Sequence, residues 1–189
     1  MLCGCTTKPS SPVSTQTVEC SPYVRDDFGY PADLDHDCQN SRAEVLISQS
    51  LVPVTFTTPS NCTVATGKWV DPYSGDTVLN ASELQIDHLV PLSEANKSGA
   101  YAWPKEQKKV FGNDSQNMVP TRSSLNSQKS DFDPGVWLPP NRTYLKTYCD
   151  RYIAVKEKYE LTVDQRELDT LSHYSGSVSL KIGKECLGY

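Results

Sequence analysis

The sequence lacks the features that would place it at once in several large protein classes. None of its apolar runs approaches the length that a membrane-spanning helix needs. No G-x-S-x-G motif occurs, which disfavours a hydrolase in which His88 would pair with a serine and an aspartate. The chain shows no internal repeat. Its 189 residues, 37% hydrophobic and 22% charged, suit one globular domain with a real core.

Basic residues are scarce for a protein that would bind a polyanion. The formal net charge is −5, whereas nucleic-acid-binding proteins usually present a basic surface. The charge is unevenly distributed, because residues 97–146 contain 8 basic and 4 acidic side chains. Weak steering of a phosphate backbone toward this stretch therefore remains compatible with the acidic total.

The seven cysteines, at positions 3, 5, 20, 38, 62, 149 and 186, fit no zinc-binding template. Disulfides are the better interpretation, although spacing alone does not determine their connectivity. We predict the pairs Cys38–Cys62 and Cys149–Cys186 and leave the pairing of Cys20 open. Disulfide bonds imply an extracytoplasmic compartment, at the cell surface, in the periplasm or outside the cell.

Residues 1–20 are predicted to be a leader or disordered tether that precedes a folded domain at 21–189. The segment from Thr6 to Val18 is rich in Ser, Thr and Pro. Leu2-Cys3-Gly4-Cys5 resembles a bacterial lipobox, in which Cys5 would carry a lipid and tether the chain to a membrane. The basic and apolar leader that normally precedes such a site is almost absent.

Five N-x-S/T sequons would be glycosylation sites in a eukaryotic secretory pathway and have no meaning in a bacterium or phage. They begin at Asn61, Asn80, Asn96, Asn113 and Asn141. Two of them flank the basic stretch, where a glycan would obstruct a nucleic acid, so the sequence alone favours a bacterial or viral source.

Apolar periodicity and turn residues predict a mixed α+β domain. The predicted strands are Val52–Phe56, Val64–Val70 and about Glu83–Leu89, and a turn is predicted at Asp71–Asp76. Helices are predicted at Ser41–Ser50, from Pro91 through Ala95, at Glu106–Phe111, Tyr144–Tyr159 and Val163–Tyr174. Thr121 is predicted to cap a further short helix that runs through Gln128.

The residues with the clearest chemistry lie at the end of the third predicted strand. Asp87 offers a carboxylate ligand for a hard cation, and His88 offers a base that is largely neutral near pH 7. Asn117, Asn126 and Lys129 follow in a polar stretch. Hydrolysis of a phosphodiester needs both a cation and a base, so this set is the strongest candidate site in the sequence.

These residues resemble the motif of HNH endonucleases. The matching segments are Ile86–Pro91, Asn117–Arg122 and Asn126–Asp131, and the motif lies on the ββα-metal fold, also called the His-Me finger. The likeness is greatest to small secreted bacterial nucleases and to the C-terminal domain of GmrSD-type restriction enzymes. In that branch, segments like Arg25–Gly29 and Trp137–Pro140 flank the motif, so the resemblance covers roughly residues 23–186. It implies a ββα-metal core with additional helices, stabilised by disulfides.

The resemblance also implies a role for each site residue. Asp87 and Asn126 would be ligands of one divalent cation, and His88 would be the general base. Asn117 would orient the site, and Lys129 would contact a phosphate or the developing charge. Because Asn126 stands where the motif often has histidine, magnesium is favoured, with manganese second, over zinc or nickel.

The expected function is magnesium-dependent hydrolysis of DNA by a secreted or lipid-anchored monomer, with RNA as the less favoured substrate. A second class stays open: a lipid-anchored nucleic-acid-binding or exclusion protein with an inactive HNH site. A structural calcium site is a less favoured interpretation of Asp33, Asp35 and Asp37. Glu44 has the spacing of an EF-hand loop, but Cys38 replaces its glycine.

Overall fold

The computed structural model describes residues 20–183 as a mixed α+β domain, as predicted. Its strands are β1 (Thr55–Phe56), β2 (Val64–Val70), β3 (Thr77–Asn80), β4 (Leu84–His88) and β5 (Met118–Arg122). Its α-helices are α1 (Ser41–Gln49), α2 (Leu92–Lys97), α3 (Lys105–Gly112), α4 (Ser123–Lys129), α5 (Leu145–Lys158) and α6 (Gln165–Ser175). Between residues 20 and 183, no helix combines the length and apolarity that crossing a bilayer requires. Nearly all of the predicted tether, with Cys5, lies outside the described residues.

The first sheet is antiparallel and has the strand order β1-β2-β3. It packs against α1 around Trp69, which is fully buried and donates a 2.8 Å hydrogen bond from its indole to the carbonyl of Leu46. The prediction of β2 is confirmed at both ends, whereas β1 is shorter than predicted. The sequence did not predict β3, because three of its four side chains are exposed and it has no apolar alternation.

The second sheet pairs β4 with β5 in antiparallel register, with Ile86 opposite Pro120 and Asp87 opposite Val119. Helix α4 follows β5 directly, and α2 and α3 lie between the two strands in the chain. The prediction that Thr121 caps α4 is wrong. Thr121 belongs to β5, and its buried hydroxyl donates to the carboxylate of Asp71 at 2.8 Å, so it is not free to cap the helix.

Helices α5 and α6 pack against each other, share the main core with Val119 of β5, and begin and end within two residues of their predicted bounds. Tyr148 and Tyr152 of α5 are fully buried in the main core. The same helix contributes Lys156, whose ammonium is fully buried between Glu94 of α2 and Glu167 of α6, at 2.8 and 3.1 Å. This cluster of charges ties the C-terminal helices to the helix that follows β4.

One of the two predicted disulfides is confirmed. Cys38 and Cys62 are bonded and join the loop before α1 to the loop before β2. The predicted Cys149–Cys186 pair is wrong, because Cys149 is a free thiol on the buried face of α5. Cys20 is disulfide-bonded, while Cys186 lies outside the described residues.

Candidate functional site

A cleft of about 410 Å³ opens beside the end of β4. It brings together three of the five site residues that the sequence singled out, from β4 and α4. The residues whose side chains carry its chemistry are Tyr23, Arg25, Asp87, His88, Asn126 and Asp131. Residues that are distant in the chain therefore share one open cavity, large enough to admit a phosphodiester.

The imidazole of His88 is held in one orientation. Its Nε2 lies 2.8 Å from the carbonyl oxygen of Gly112, which can only accept, so Nε2 carries the proton and Nδ1 keeps its lone pair. The ring of Tyr30 packs edge-on against it at 4.7 Å. Burial, and then the positive charges of Lys129 and Arg25, lower the pKa of His88 to about 4. The ring is therefore a neutral base at ordinary pH.

Gly112 is suited to this contact because it has no side chain. A β-carbon at this position would clash with the carbonyl oxygen of Phe28. Phe28 is fully buried against Phe111 in the last turn of α3, so this packing brings the N-terminal segment and the end of α3 together. The carbonyl that holds His88 thus belongs to a rigid part of the core.

The carboxylate of Asp87 receives hydrogen bonds from two buried side chains. Lys129 donates to it at 3.0 to 3.1 Å, and the phenol of Tyr73 donates at 2.5 Å. Burial raises the pKa of Asp87, while both donors favour its charged form. These contacts fix the orientation of the Asp87 carboxylate, which is only 5% exposed and lines the cleft.

Tyr73 was missed by sequence reasoning, although its turn was predicted. The buried carboxylate of Asp71 accepts from the backbone N–H of Tyr73 at 2.9 Å and from the backbone N–H of Arg122 at 2.9 Å. The turn is therefore held to β5, and this places the phenol of Tyr73 against the carboxylate of Asp87. The sequence signal is the Asp-Pro-Tyr turn itself. The turn does not reveal that the phenol of Tyr73 donates a hydrogen bond to Asp87, 14 positions later.

Asn117 is fully buried and clamps the segment that follows β4. Its carboxamide accepts from the N–H of Val90 at 2.8 Å and donates to the carbonyl of Val90 at 3.0 Å. Its own carbonyl accepts from the N–H of Leu89 at 2.8 Å. These three bonds fix the chain directly after Asp87 and His88.

Asn126 projects from α4 into the cleft. Its Nδ2 donates to Gln85 at 2.7 Å, and within residues 20–183 no hydrogen bond involves its Oδ1. The amide is thus oriented with a free carbonyl oxygen, which is the kind of ligand that hard divalent cations accept. Together with the carboxylate of Asp87, the cleft offers two oxygen donors from facing elements.

The two basic side chains of the region have different surroundings. Lys129 is fully buried, and its ammonium contacts Asp87 and the carbonyl of His88, the latter at 2.8 Å. Arg25 is exposed, and among the described residues that line the cleft it is the one cation. Within residues 20–183 it forms no ion pair. Arg25 is therefore the basic group that is open to an incoming anion.

Asp33, Asp35 and Asp37 lie together, with a carboxylate oxygen from each within 4.8 Å of the others. Asp33 accepts from the backbone N–H groups of His36 and Cys38, so it also shapes the turn that the disulfide closes. The cluster does not line the cleft of His88. The calcium interpretation of these carboxylates stays a prediction.

Comparison with known proteins identifies a family model and a relative that match most of the chain. A family model of the C-terminal domain of GmrSD restriction endonucleases matches residues 47–173, more than half of the chain. An uncharacterized secreted protein of Arthroderma benhamiae is 34% identical over 174 residues, which cover 91% of this chain and 80% of the relative. No solved structure shows a significant match.

Proposed function

Because the chain belongs to the family of C-terminal domains of GmrSD restriction endonucleases, an HNH-type domain, we propose that it is a metal-dependent endonuclease. The family indicates a nuclease-related function and a nucleic-acid substrate. The finer proposal is hydrolysis of phosphodiester bonds in DNA, without strong sequence preference. The observation that carries it is the neutral imidazole of His88, which stands beside the carboxylate of Asp87 in an open cleft.

The proposed catalytic core consists of β4, β5 and α4. Two antiparallel strands followed directly by a helix have the element order of a ββα-metal fold. Asp87 and His88 end the first strand, and Asn126 and Lys129 lie on the helix. This order supports the assignment of the core, and the insertion of α2 and α3 between the strands supplies Gly112, which binds His88.

His88 is the proposed general base. Because its Nε2 proton is committed to Gly112, Nδ1 can take a proton from a water molecule in the cleft. The transfer creates a hydroxide-like nucleophile next to the position of a bound phosphodiester. The low pKa of the ring keeps Nδ1 unprotonated, although it also makes His88 a weaker base than an ordinary histidine.

Asp87 and Asn126 are the proposed ligands of one divalent cation. HNH nucleases generally use divalent metal ions, and the donor set here, one carboxylate and one carboxamide oxygen, suits magnesium or manganese. The ion supplies positive charge to the phosphate and to the leaving oxygen when it is bound. Asp87 is already oriented by Tyr73 and Lys129, so the site is prepared on the protein side.

The remaining residues act through these groups or on the substrate. Asn117 fixes the chain after His88, which supports a positioning role. Lys129 was expected to contact a phosphate or the developing charge, but its complete burial supports a role in orienting Asp87. We assign the phosphate contact to Arg25 instead. The predicted lipid at Cys5 and the monomeric state stay predictions, while the secreted relative and the disulfide support an extracellular location.

Incubation of the oxidised protein with plasmid DNA tests this function. We expect cleavage with magnesium or manganese, no cleavage with a chelator, and a loss of roughly a hundredfold to ten-thousandfold in His88→Ala. An RNA substrate in parallel defines the preferred polymer. Equal cutting by the wild type and His88→Ala would remove the imidazole from the reaction. No cutting under any metal would favour the nucleic-acid-binding alternative.

A further inference from the structure

The five sequons are not equivalent in the folded protein, and we propose that Asn61 and Asn80 are its N-glycosylation sites. A secreted relative from a fungus and a disulfide bond suggest passage through a eukaryotic secretory pathway. That pathway transfers an oligosaccharide to the side-chain nitrogen of asparagine in N-x-S/T. The fungal relative argues against the bacterial or viral source that the sequence alone favoured, in which the sequons would have no meaning.

The transfer itself requires a free carboxamide nitrogen. The Nδ2 atom attacks the anomeric carbon of an oligosaccharide that is carried on a lipid diphosphate. The new bond joins this carbon to Nδ2, the bond from the sugar to the phosphate breaks, the lipid diphosphate leaves, and Nδ2 loses one proton. A folded domain can accommodate the glycosylated asparagine only where its Nδ2 faces solvent.

Two asparagines fulfil this condition. Asn61 is exposed in the loop between β1 and β2, and its side chain forms no hydrogen bond within residues 20–183. Asn80 is exposed at the end of β3, and only its Oδ1 is engaged, by the backbone N–H and hydroxyl of Ser82 at 3.1 and 2.9 Å. Both nitrogens can carry a sugar without breaking a hydrogen bond of the fold.

The other three asparagines use Nδ2 inside the structure. Asn113 is 8% exposed and donates to the carbonyls of Gly29 and Lys109 at 3.2 and 2.9 Å. Asn96 is 4% exposed and donates to the carbonyl of Ser21 at 3.2 Å. A glycan on either nitrogen would have to displace buried backbone. Such a chain would not reach this fold.

Asn141 is only half-buried, but its nitrogen is occupied too. It donates to the carbonyl of Pro72 at 3.0 Å and thereby holds the turn that carries Tyr73. A β-carbon on Gly75 would lie 3.5 Å from the same Nδ2, which shows how closely the turn approaches it. A glycan there would separate Asn141 from the turn beneath Asp87.

Asn61 lies in the loop between β1 and β2 and Asn80 at the end of β3, and neither residue lines the catalytic cleft. Each of β1 and β3 pairs only with β2 among the described strands, so each leaves one edge open. Leu79 on β3 is 61% exposed. Open strand edges with apolar side chains favour pairing between molecules, and bulky surface groups oppose it. Glycans at Asn61 and Asn80 would therefore cover these edges while the cleft stays accessible.

Secretion of the full chain from yeast, followed by mass spectrometry, tests the assignment. Enzymatic removal of N-glycans in heavy-oxygen water converts each occupied asparagine to a labelled aspartate. We expect the label at Asn61 and Asn80 and at none of the other three. Thr63→Ala and Ser82→Ala should each remove one glycan. Ser115→Ala destroys the sequon of Asn113 at an exposed position. This variant should carry the same glycans as the wild type, so its intact mass should differ only by the substitution.

Each result decides the question. An unmodified residue at position 61 or 80 overturns the assignment of that position. Sugar at Asn96, Asn113 or Asn141 in the folded, secreted protein overturns the rule of access on which both assignments rest. None of these measurements depends on nuclease activity, so the glycosylation proposal and the proposed function can fail separately.

Discussion

The phenol of Tyr73 donates a hydrogen bond of 2.5 Å to Oδ2 of Asp87, and both side chains are buried. Tyr73 lies in the turn between β2 and β3, whereas Asp87 lies on β4 in the other sheet. The contact therefore joins the two sheets at the proposed metal ligand. Asp71 fixes the turn to β5, so the position of Tyr73 depends on the same strand that pairs with β4.

Removal of this phenol should weaken metal binding more than folding. In Tyr73→Phe, Asp87 loses one of its two side-chain donors while the ring keeps its packing. Loss of a group that orients a metal ligand typically costs about tenfold to a hundredfold in affinity or activity. We expect the magnesium concentration for half-maximal cleavage to rise by about this factor. Titration of cleavage against magnesium, with manganese binding measured by calorimetry, tests this expectation.

Tyr148→Phe is the matched control. Tyr148 is fully buried in the same aromatic cluster, with its ring centroid 5.9 Å from that of Tyr73, and its hydroxyl has no hydrogen-bond partner among residues 20–183. This variant should bind magnesium like the wild type. An identical metal dependence in Tyr73→Phe and Tyr148→Phe would show that the hydrogen bond to Asp87 does not matter.

Substrate binding should depend on Arg25. A hydrogen bond to a charged group contributes about 1.5 to 3 kcal/mol, so Arg25→Gln should raise KM for DNA roughly tenfold to a hundredfold at low salt. The kcat should change less, because the proposed role of Arg25 is to bind the phosphate, whereas His88 is the proposed base. Arg142→Gln removes the same charge from an exposed position outside the cleft and is the control. Equal KM values for the two variants would contradict the assignment.

The acid limit of activity should lie unusually low. A general base must be unprotonated, so activity rises with pH through the pKa of His88, which is about 4 in this environment and 6.5 for an ordinary histidine. With saturating magnesium, kcat/KM should be nearly level from pH 6 upward and should still be substantial at pH 5. Arg25 contributes to the lowered pKa, so Arg25→Gln should shift the acid limb upward. A limb centred near pH 6.5 in the wild type would contradict the buried, neutral ring.

Local patterns of the sequence predicted the elements but not their contacts. The bounds of β2 and the ends of α5 follow from apolar periodicity and were predicted closely. β5 was missed as a strand because Pro120 interrupts its apolar run, which an edge strand tolerates. Position in the motif singled out Asp87, His88 and Asn126, and the cleft contains all three.

The errors share a physical origin in contacts between distant parts of the chain. Cys149 was predicted to pair with Cys186, but it occupies an apolar position of α5, where a free thiol packs as a small hydrophobic group. A lysine at the end of a helix is usually exposed, yet Lys129 is buried because Asp87 neutralises its charge. The local sequence does not show these surroundings, since the residues that pack on Cys149 and the carboxylate that pairs with Lys129 come from other elements.

The buried cluster around Lys156 should make stability depend on pH. Burial raises the pKa of Glu167 from its ordinary value of 4.5 to about 7, despite the nearby ammonium. The folded protein therefore holds this proton more tightly than the unfolded chain. The resulting stability is complete below pH 4.5 and is lost as pH rises to 7, a change of about 3 kcal/mol. The lowered pKa of His88 has the opposite effect, because its contribution to stability rises between about pH 4 and 6.5. A variant at Glu167 is therefore needed to separate the contribution of this carboxyl.

Glu167→Gln is that variant, because glutamine keeps the capping box of α6 with Asp164 and cannot titrate. The difference in unfolding free energy between wild type and variant, measured in urea from pH 4.5 to 8, should shift in favour of the variant by about 3 kcal/mol as pH rises. Glu106→Gln changes an exposed carboxylate of α3 and should leave the wild-type profile intact. A difference that stays constant over this range would mean that Glu167 is ionised throughout and that Lys156 balances both carboxylates.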